Sequence, residues 1–335
     1  MVSSERSIPI LSIAIPTYKR AQRVKLSVEH ILRSPIQDVE IVVNDNASGD
    51  GTVEGLRLIA DPRLRVFSNS KNLGFKGNIF KLVERCRGDF ILFISDEDLL
   101  ETSCLVHLID LVTRLPDLAV IYGGIRKSNG SIYQQFSGER QYSPGSESIA
   151  KLAFTHSYMS GLTLNRRSIH LEPLRQYLSY SEFIYTHELI AALCMLKGPA
   201  LTTEKILINR GEEVNDHSDR INNQPYWFIV PRIRQWLFHL DFVLSFRNEI
   251  SWRSMTQLRY RLANVAAQCA LRSFREQGFH QVVEGVRTLI HPQDLKRVGL
   301  FDTFLFIVAA AHFSLQNLKS TIARIKVVQR LRGRS

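Results

Sequence analysis

Along the first hundred residues, short unbroken apolar runs alternate with stretches in which apolar residues recur every three or four positions. The run at 10–18, ILSIAIPTY, predicts a buried strand ending at Pro16-Thr17. Residues 20–34 follow with Val24, Val28, Ile31 and Leu32, the i, i+4, i+7, i+8 spacing of one helical face. A second buried strand is predicted over 39–47, closed by Asn44-Asp45-Asn46, and then a short helix over 50–60 capped by Asp50 or Thr52. A third strand at 64–69 leads to a helix at 75–88, whose stop is read at Gly88 because glycine is favoured just past a helix end. The buried run Phe90–Ile94 closes the series and drives into three consecutive acids, Asp96, Glu97 and Asp98.

Such alternation predicts a parallel sheet covered by helices, a fold of the α/β class. Ligands in these sheets bind beyond the carboxyl ends of the strands. Thr17-Tyr18, Asp45-Asn46 and Asp96-Glu97-Asp98 all fall at such ends, so they are expected to share one crevice. Further on, 118–125 reads as a strand and 126–148 as hairpin or loop. Residues 157–169 read as a strand with a small-residue bend at Ser160-Gly161. Residues 185–211 read as a helix, a Gly-Pro break and a closing strand. From about Val214 long amphipathic segments take over, which predicts two parts: an α/β domain over 1–215 and a helical region over 216–335.

Charge sharpens that division. Of 43 Lys and Arg, 18 lie from Asp216 onward, against only 8 of the 32 Asp and Glu, so nearly all of the net +11 belongs to the C-terminal third. A basic region of this kind suits anionic lipid, nucleic acid or a phosphorylated substrate. An apolar stretch over 300–318 followed by Lys319, Arg324, Lys326, Arg330, Arg332 and Arg334 fits a helix lying on an anionic membrane surface; it is too interrupted for a span. A nucleic-acid partner is not expected, because the cations are interleaved with aliphatic rather than stacking aromatic residues. The four cysteines, Cys86, Cys104, Cys194 and Cys269, are far apart, which fits a reducing cytoplasm and neither a zinc knuckle nor a disulfide scaffold. The N-terminal apolar patch, broken by Pro9 and Pro16, reads as the first strand rather than a secretory signal.

Three adjacent carboxylates repel one another unless something positive sits among them. LSIAIPTYKR, VEIVVNDNASGDGT, NLGFKGN and FILFISDEDLL, in that order, resemble family 2 glycosyltransferases of the GT-A fold, closest to bacterial abequosyltransferase-like enzymes that extend O-antigen or capsule units. The resemblance is strong over 10–112, weak over 155–215 and absent from the helical tail. It implies a GT-A mixed sheet, a nucleotide-sugar donor, and a glycan acceptor carried on a polyprenyl diphosphate. The acidic run resembles the DxD motif of that family, which implies a divalent cation, Mn²⁺ or Mg²⁺, on Asp96, Glu97 and Asp98. The register stays open between Asp96/Asp98 and Glu97/Asp98, with Ser95 and Asp96 also near the donor. A cation there neutralises a departing diphosphate, and these metals take one or two protein carboxylates plus substrate phosphates.

By the same resemblance Asp45 meets the nucleotide base, and Pro16, Thr17 and Tyr18 line the base pocket. Arg20 reaches a phosphate. Asn72, Gly74, Lys76 and Asn78 offer donor contacts, Gly74 and Gly77 by letting backbone approach closely. Inversion needs a group that takes the acceptor's proton. The family's carboxylate precedes a glycine by about eleven residues, and here the pair His187-Glu188 stands ahead of Gly198. Spacing favours His187 and chemical type favours Glu188. His217 is a further candidate for the metal shell. The expected protein is therefore a cytoplasmic, peripherally membrane-bound inverting transferase of surface polysaccharide synthesis. A sugar-1-phosphate nucleotidyltransferase is the first rival, but it needs a Gly-rich basic loop where this chain has PTYKR. A non-catalytic protein binding nucleic acid or lipid through its basic region is the second.

Overall fold

Between Ile10 and Ile94 every apolar run is a strand and every amphipathic stretch a helix. In the computed structural model these are β1 (Leu11–Thr17), α1 (Ala21–Leu32), β2 (Val39–Asp45), α2 (Thr52–Arg57), β3 (Leu64–Ser68), α3 (Gly74–Arg85) and β4 (Phe90–Phe93). The structure describes residues 8–155, 158–180, 185–211, 220–221, 224–225, 229–277 and 302. All residues of β1, β2 and β4 are buried, as unbroken apolar runs require when helices cover both sheet faces. Each fully buried aliphatic side chain, such as Ile13 or Ile41, contributes about 1.5–3 kcal/mol.

Two local expectations change. Helix α3 starts at Gly74, which takes a left-handed φ of 69°, and ends at Arg85, short of Gly88. Gly88 is instead where the chain passes against β1: a Cβ there would lie 2.5 Å from the Ser12 amide nitrogen. Helix α2 has Gly51 as its N-cap, while Asp50 accepts from the Thr52 amide at 3.1 Å.

The next segments are β5 (Leu99–Leu100), α4 (Leu105–Arg114), β6 (Val120–Arg126), β7 (Ile132–Gln134), β8 (Arg140–Tyr142) and α5 (Ser146–Leu152). After them come β9 (Leu162–Asn165), α6 (Glu172–Arg175), α7 (Thr186–Lys197) and β10 (Ala200–Asn209). The polar stretch after β6 is a hairpin with β7, whereas β8 pairs with β10. The sheet runs β3-β2-β1-β4-β9-β6-β10-β5. Strands β1 to β4 are parallel, but β9 lies antiparallel between β4 and β6, so the sheet is mixed. This is the GT-A arrangement. Because β9 runs against β4, its start at Gly161 lies beside the end of β4, where the Gly161 amide donates to Phe93 O at 3.0 Å. Gly161 has a φ of 90°, the bend the small-residue pair predicts.

The chain divides into two compact units, Met1–Asn215 and Asp216–Ser335. In the second, β11 (Arg220–Ile221) pairs with β12 (Gln224–Pro225), and α8 (Ile229–Ser245) packs on α9 (Trp252–Gln277). Arg259 makes a bidentate pair with Asp302 at 2.8 and 2.6 Å. No helix among the described residues is long and apolar enough to cross a membrane. The basic stretch beyond residue 302 lies outside the described residues.

At the opposite end of β1, Glu40 is buried and knits four segments together. Its Oε1 accepts from Ser12 Oγ at 2.6 Å and from the Arg87 amide at 2.6 Å, and its Oε2 accepts from Arg65 at 2.6 Å. Burial alone would raise its pKa; the bonds from Ser12, the Arg87 amide and Arg65 outweigh that and hold it below the ordinary glutamate value of 4.5. With the folded-state pKa below the unfolded one, this stabilisation is complete above about pH 4.5 and is lost as pH falls through the folded value. Replacing Glu40 with Gln should cost about 2 kcal/mol at pH 7 in urea melts, and the deficit should shrink toward pH 3. A pH-independent deficit would contradict the charged clamp.

Candidate active site

Three strand ends build one edge. Strand register places Thr17 beside Asp45 and Asp45 beside Ser68, on neighbouring strands about 4.8 Å apart. The turns leaving β1 and β2 are tied together: the Asn46 amide donates to Thr17 O at 3.0 Å, and the Lys19 amide to Ser48 Oγ at 2.7 Å. Each turn contains a non-glycine residue in the left-handed region, Lys19 at φ 55° and Ala47 at φ 61°. Such backbone costs about 1 kcal/mol or more per residue and clusters at functional sites. Asp45 is buried. Its Oδ2 accepts from the Ser48 amide at 3.0 Å and Ser68 Oγ at 3.1 Å, and its Oδ1 accepts from Ser48 Oγ. Four acceptor positions against three donors leave room for one further N–H, the demand a base edge makes. Tyr18 is half-buried at the mouth of this turn, with the Lys19 ammonium 5.4 Å from its ring centre.

The acids beyond β4 divide into two groups. Asp96 and Glu97 converge on one cation: Arg20 Nη1 lies 2.9 Å from Asp96 Oδ1 and 3.1 Å from Glu97 Oε2. Arg23 approaches Glu97 at 3.7 Å, and Thr17 Oγ1 donates to Asp96 Oδ2 at 2.7 Å. Asp98 shares none of these contacts. It is fully buried and accepts from Ser160 Oγ at 2.5 Å, Tyr158 OH at 2.8 Å and the Gly211 amide at 3.0 Å. It therefore ties the exit of β4 to the start of β9 and the end of β10. Behind it the Arg210 guanidinium lies against the rings of Tyr158 and Tyr133, 4.4 and 4.9 Å from their centres. Ser95 belongs to the same brace, its amide donating to Ser160 Oγ at 2.8 Å.

Electrostatics follow the same division. Burial raises the pKa of Asp96, and Arg20 and Thr17 only partly offset it. Glu97 is raised by burial, then lowered by Arg20, with Asp98 and Asp96 adding to the rise. Asp98 is raised by burial against the bonds from Ser160, Gly211 and Tyr158. Burial is the largest cause for all three acids, and the cations and donors around them offset it only in part.

Helix α1 is the source of the cations. Arg20, Arg23, Ser27 and His30 follow one face of it, and the last two also bind the acidic segment, Ser27 Oγ to Asp98 O at 3.1 Å and His30 Nε2 to Leu100 O at 2.8 Å.

The remaining predicted residues scatter more widely. Asn72 accepts the Gly74 amide at 2.8 Å and Asn46 Nδ2 at 2.7 Å, which is turn chemistry. Asn78 is buried in an asparagine network with Asn44 and Asn69 and faces inward. Gly74 supplies the left-handed start of α3, and Lys76 Nζ donates to Tyr180 O. His187 and Glu188 are both buried in the first turn of α7. The far end of α7 lies at the opposite edge, where the Ala119 amide donates to Pro199 O. Twelve residues of helix rise about 18 Å, which separates His187 and Glu188 from that end of α7. His217 lies outside the described residues. An open groove of about 790 Å³ lined by Glu101, Arg126, Phe136 and Lys205 involves none of the predicted site residues.

Residues 12–171 match the family model described as Glycosyl transferase family 2. The chain carries a family 2 glycosyltransferase domain. The match includes Thr17, Asp45, Ser68 and the three acids but stops before α7 and the end of β10, so it says nothing of His187, Glu188, Arg210 or Gly211. Over 136 residues the chain is 26% identical to a GalNAc(5)-diNAcBac-PP-undecaprenol beta-1,3-glucosyltransferase of Campylobacter jejuni, covering 39% of this chain and 43% of that protein. Among solved structures it is similar to S. aureus TarS 1-349 in complex with UDP-GlcNAc, with a TM-score of 0.58 and 13% identity over 89% of this chain and 79% of that one. It is also similar to the mannosyltransferase PcManGT of Pyrobaculum calidifontis in complex with GDP-Man and Mn²⁺, with a TM-score of 0.50 and 15% identity over 92% and 88%. At these identities the solved structures establish the GT-A fold of the family 2 domain, with its mixed sheet.

Whether the family 2 domain offers a metal site depends on its donor set. Among the described residues no group of three or more His, Cys, Asp and Glu side chains is arranged around one point. Yet Asp96 and Glu97 already converge on a single cationic nitrogen, and two carboxylates suffice for a magnesium or manganese ion that shares substrate phosphates. The donor set fits a divalent ion on Asp96 and Glu97. Asp98, expected in that set, is engaged elsewhere.

The two groups of acids should respond differently to substitution. Asp98→Ala strands three donors and should lower stability by about 3 kcal/mol in a urea melt, whereas Asp96→Asn should melt within about 1 kcal/mol of the parent. Equal losses would contradict the division.

Proposed function

We propose that the protein is an inverting glycosyltransferase that moves a sugar from a nucleotide-sugar donor to a glycan held on a polyprenyl diphosphate, in the synthesis of a surface polysaccharide. The observation that carries this reading is the convergence of Asp96 and Glu97 on one cation, with a single strand, β1, between them and Asp45. That spacing suits a donor whose base meets Asp45 and whose diphosphate lies against the acids. The nucleotide sugars named for TarS and PcManGT, and the Mn²⁺ named for the latter, support it. The undecaprenol named for the Campylobacter relative supports the acceptor.

On this reading Asp45 accepts one N–H from the base edge, and Tyr18 packs beside it. Thr17 orients Asp96 through its hydroxyl. Asp96 and Glu97 would hold Mn²⁺ or Mg²⁺, which when bound supplies Lewis-acid neutralisation of the departing diphosphate. Arg20 and Arg23 present guanidinium groups to the phosphate oxygens. Glu188 or His187 takes the proton of the acceptor hydroxyl as that oxygen attacks the anomeric carbon from the face opposite the leaving group. The C–O bond to the diphosphate breaks as the new glycosidic bond forms, which inverts the centre.

A thermal-shift panel of UDP-, GDP-, CDP- and dTDP-sugars tests the donor site. One base should stabilise the protein by about 2.7 kcal/mol at a hundredfold excess over Kd, and only with Mn²⁺ or Mg²⁺ present. Stabilisation that ignores the metal would sink the metal-dependent mechanism. With the donor identified, Glu188→Gln and His187→Ala should separate the base from its neighbour. The base variant should lose about 10²–10⁴-fold in kcat with donor affinity unchanged, and equal minor losses in both would place the base elsewhere.

The acceptor reading makes the enzyme peripheral at the cytoplasmic face of a membrane, with the basic region of the second unit toward anionic lipid. Transfer to a polyprenyl-linked acceptor should then be faster on anionic than on neutral vesicles, and raised salt should abolish the difference. Equal rates on both would remove the membrane contact from the proposal.

A further inference from the structure

Arg20 occupies the place the donor set offers to a metal. Its Nη1 is the atom on which Asp96 and Glu97 meet, at 2.9 and 3.1 Å, and its side chain is only 23% exposed. Charge-assisted contacts of this length are strong when partly buried, and a carboxylate oxygen engaged by guanidinium is not open to an incoming cation. Arg23, at 3.7 Å from Glu97 and 37% exposed, stands one helical turn behind as a weaker second. Arg20 is the N-cap residue of α1 and Arg23 lies in its first turn, and the helix body is pinned to the segment after β4 through Ser27 and His30. The helix is anchored by these bonds, and Arg20 reaches the acids through a long side chain with several rotatable bonds.

We propose that Arg20 is a resident counter-ion that competes with the metal, and that it gives up Asp96 and Glu97 only when a diphosphate is present to receive its guanidinium. This deepens, and rests on, the metal-dependent reading above. Its consequence is an order of binding. Without a diphosphate, only the fraction of molecules in which Arg20 has left its acids is competent for metal, and the apparent affinity for free metal falls by that fraction. A diphosphate gives Arg20 a new anionic partner, so metal and diphosphate bind together and leave together. Arg20 is thus a positioning residue for the metal and a direct ligand of the phosphates.

The test uses the full chain, Mn²⁺ and inorganic pyrophosphate. Free Mn²⁺, followed by the loss of its paramagnetic resonance signal, should bind Arg20→Gln about tenfold or more tightly than the parent protein. Pyrophosphate should strengthen Mn²⁺ binding to the parent by more than it does for Arg20→Gln, and Arg23→Gln should show a smaller change of the same sign. The parent protein alone gives a second reading, because Mn²⁺ by itself should raise its melting temperature less than Mn²⁺ with pyrophosphate. Equal Mn²⁺ affinity in parent and Arg20→Gln, with pyrophosphate still enhancing binding, would overturn the competition and leave the metal-dependent reading standing. No Mn²⁺ effect in either protein, with or without pyrophosphate, would sink that reading itself.

Discussion

A buried strand that ends in three carboxylates has to find them partners, and the architecture around β4 is organised by how that is done. Asp98 is turned inward and satisfied by uncharged donors, a serine, a tyrosine and a backbone amide from two other strand ends. Asp96, itself buried, and the partly buried Glu97 are closed by an arginine. Asp98 makes a joint and the other two make a paired acid site. The kind of partner is the difference, since burial weighs on all three acids. A buried carboxylate is tolerable only with its lone pairs filled, by fixed neutral donors at Asp98 and by a cation at Asp96 and Glu97.

The mixed sheet is what brings those fixed donors within reach. Were every strand parallel, the neighbour of β4 would start at the opposite edge, and its first residues would lie far from the acids. Antiparallel β9 reverses this, so that Tyr158 and Ser160 arrive at the carboxyl-end edge just before the strand begins. Strand β10 is parallel to β6 and delivers Arg210 and Gly211 to the same edge as it ends. The joint at Asp98 therefore couples both halves of the sheet, and a disturbance there reaches the turn that carries Asp96 and Glu97 two residues away.

Much of this was legible from residue order. The strand ends, the helices between them and the edge on which Thr17, Asp45 and Asp96 meet follow from hydrophobic period and parallel topology alone. The separate duties of three adjacent acids did not, because strand alternation ceases in the turn and the direction of each side chain depends on partners sixty or more residues away. The stop at Gly88 misled for a related reason: its glycine serves a close approach to β1, a long-range contact, where a helix end was expected. Asn78 looked like a ligand contact because exposed and buried asparagines read alike in sequence; its network with Asn44 and Asn69 appears only in three dimensions. One missed feature carried a readable signal. Arg20, Arg23, Ser27 and His30 recur at the spacing of a single helical face, a polar stripe beside the apolar one, and such a stripe needs a polar partner.

Charge balance explains why that stripe carries two arginines at its start. Taken by themselves, the four side chains Asp96, Glu97, Arg20 and Arg23 balance in charge, which lowers the cost of burying the carboxylates. On the proposed reading a divalent ion and the dianionic diphosphate of a nucleotide sugar enter together, and the enlarged set cancels again. Either one alone would leave a net charge of about two in a partly desolvated place, where Coulombic energies exceed their values in water several-fold. Transfer changes the count, since the departing nucleoside diphosphate gains negative charge as its bond to the sugar breaks. The site then holds an excess anion that its two arginines and one divalent ion no longer neutralise. On that reading, release of product with its metal would restore the original four and return Arg20 to Asp96 and Glu97.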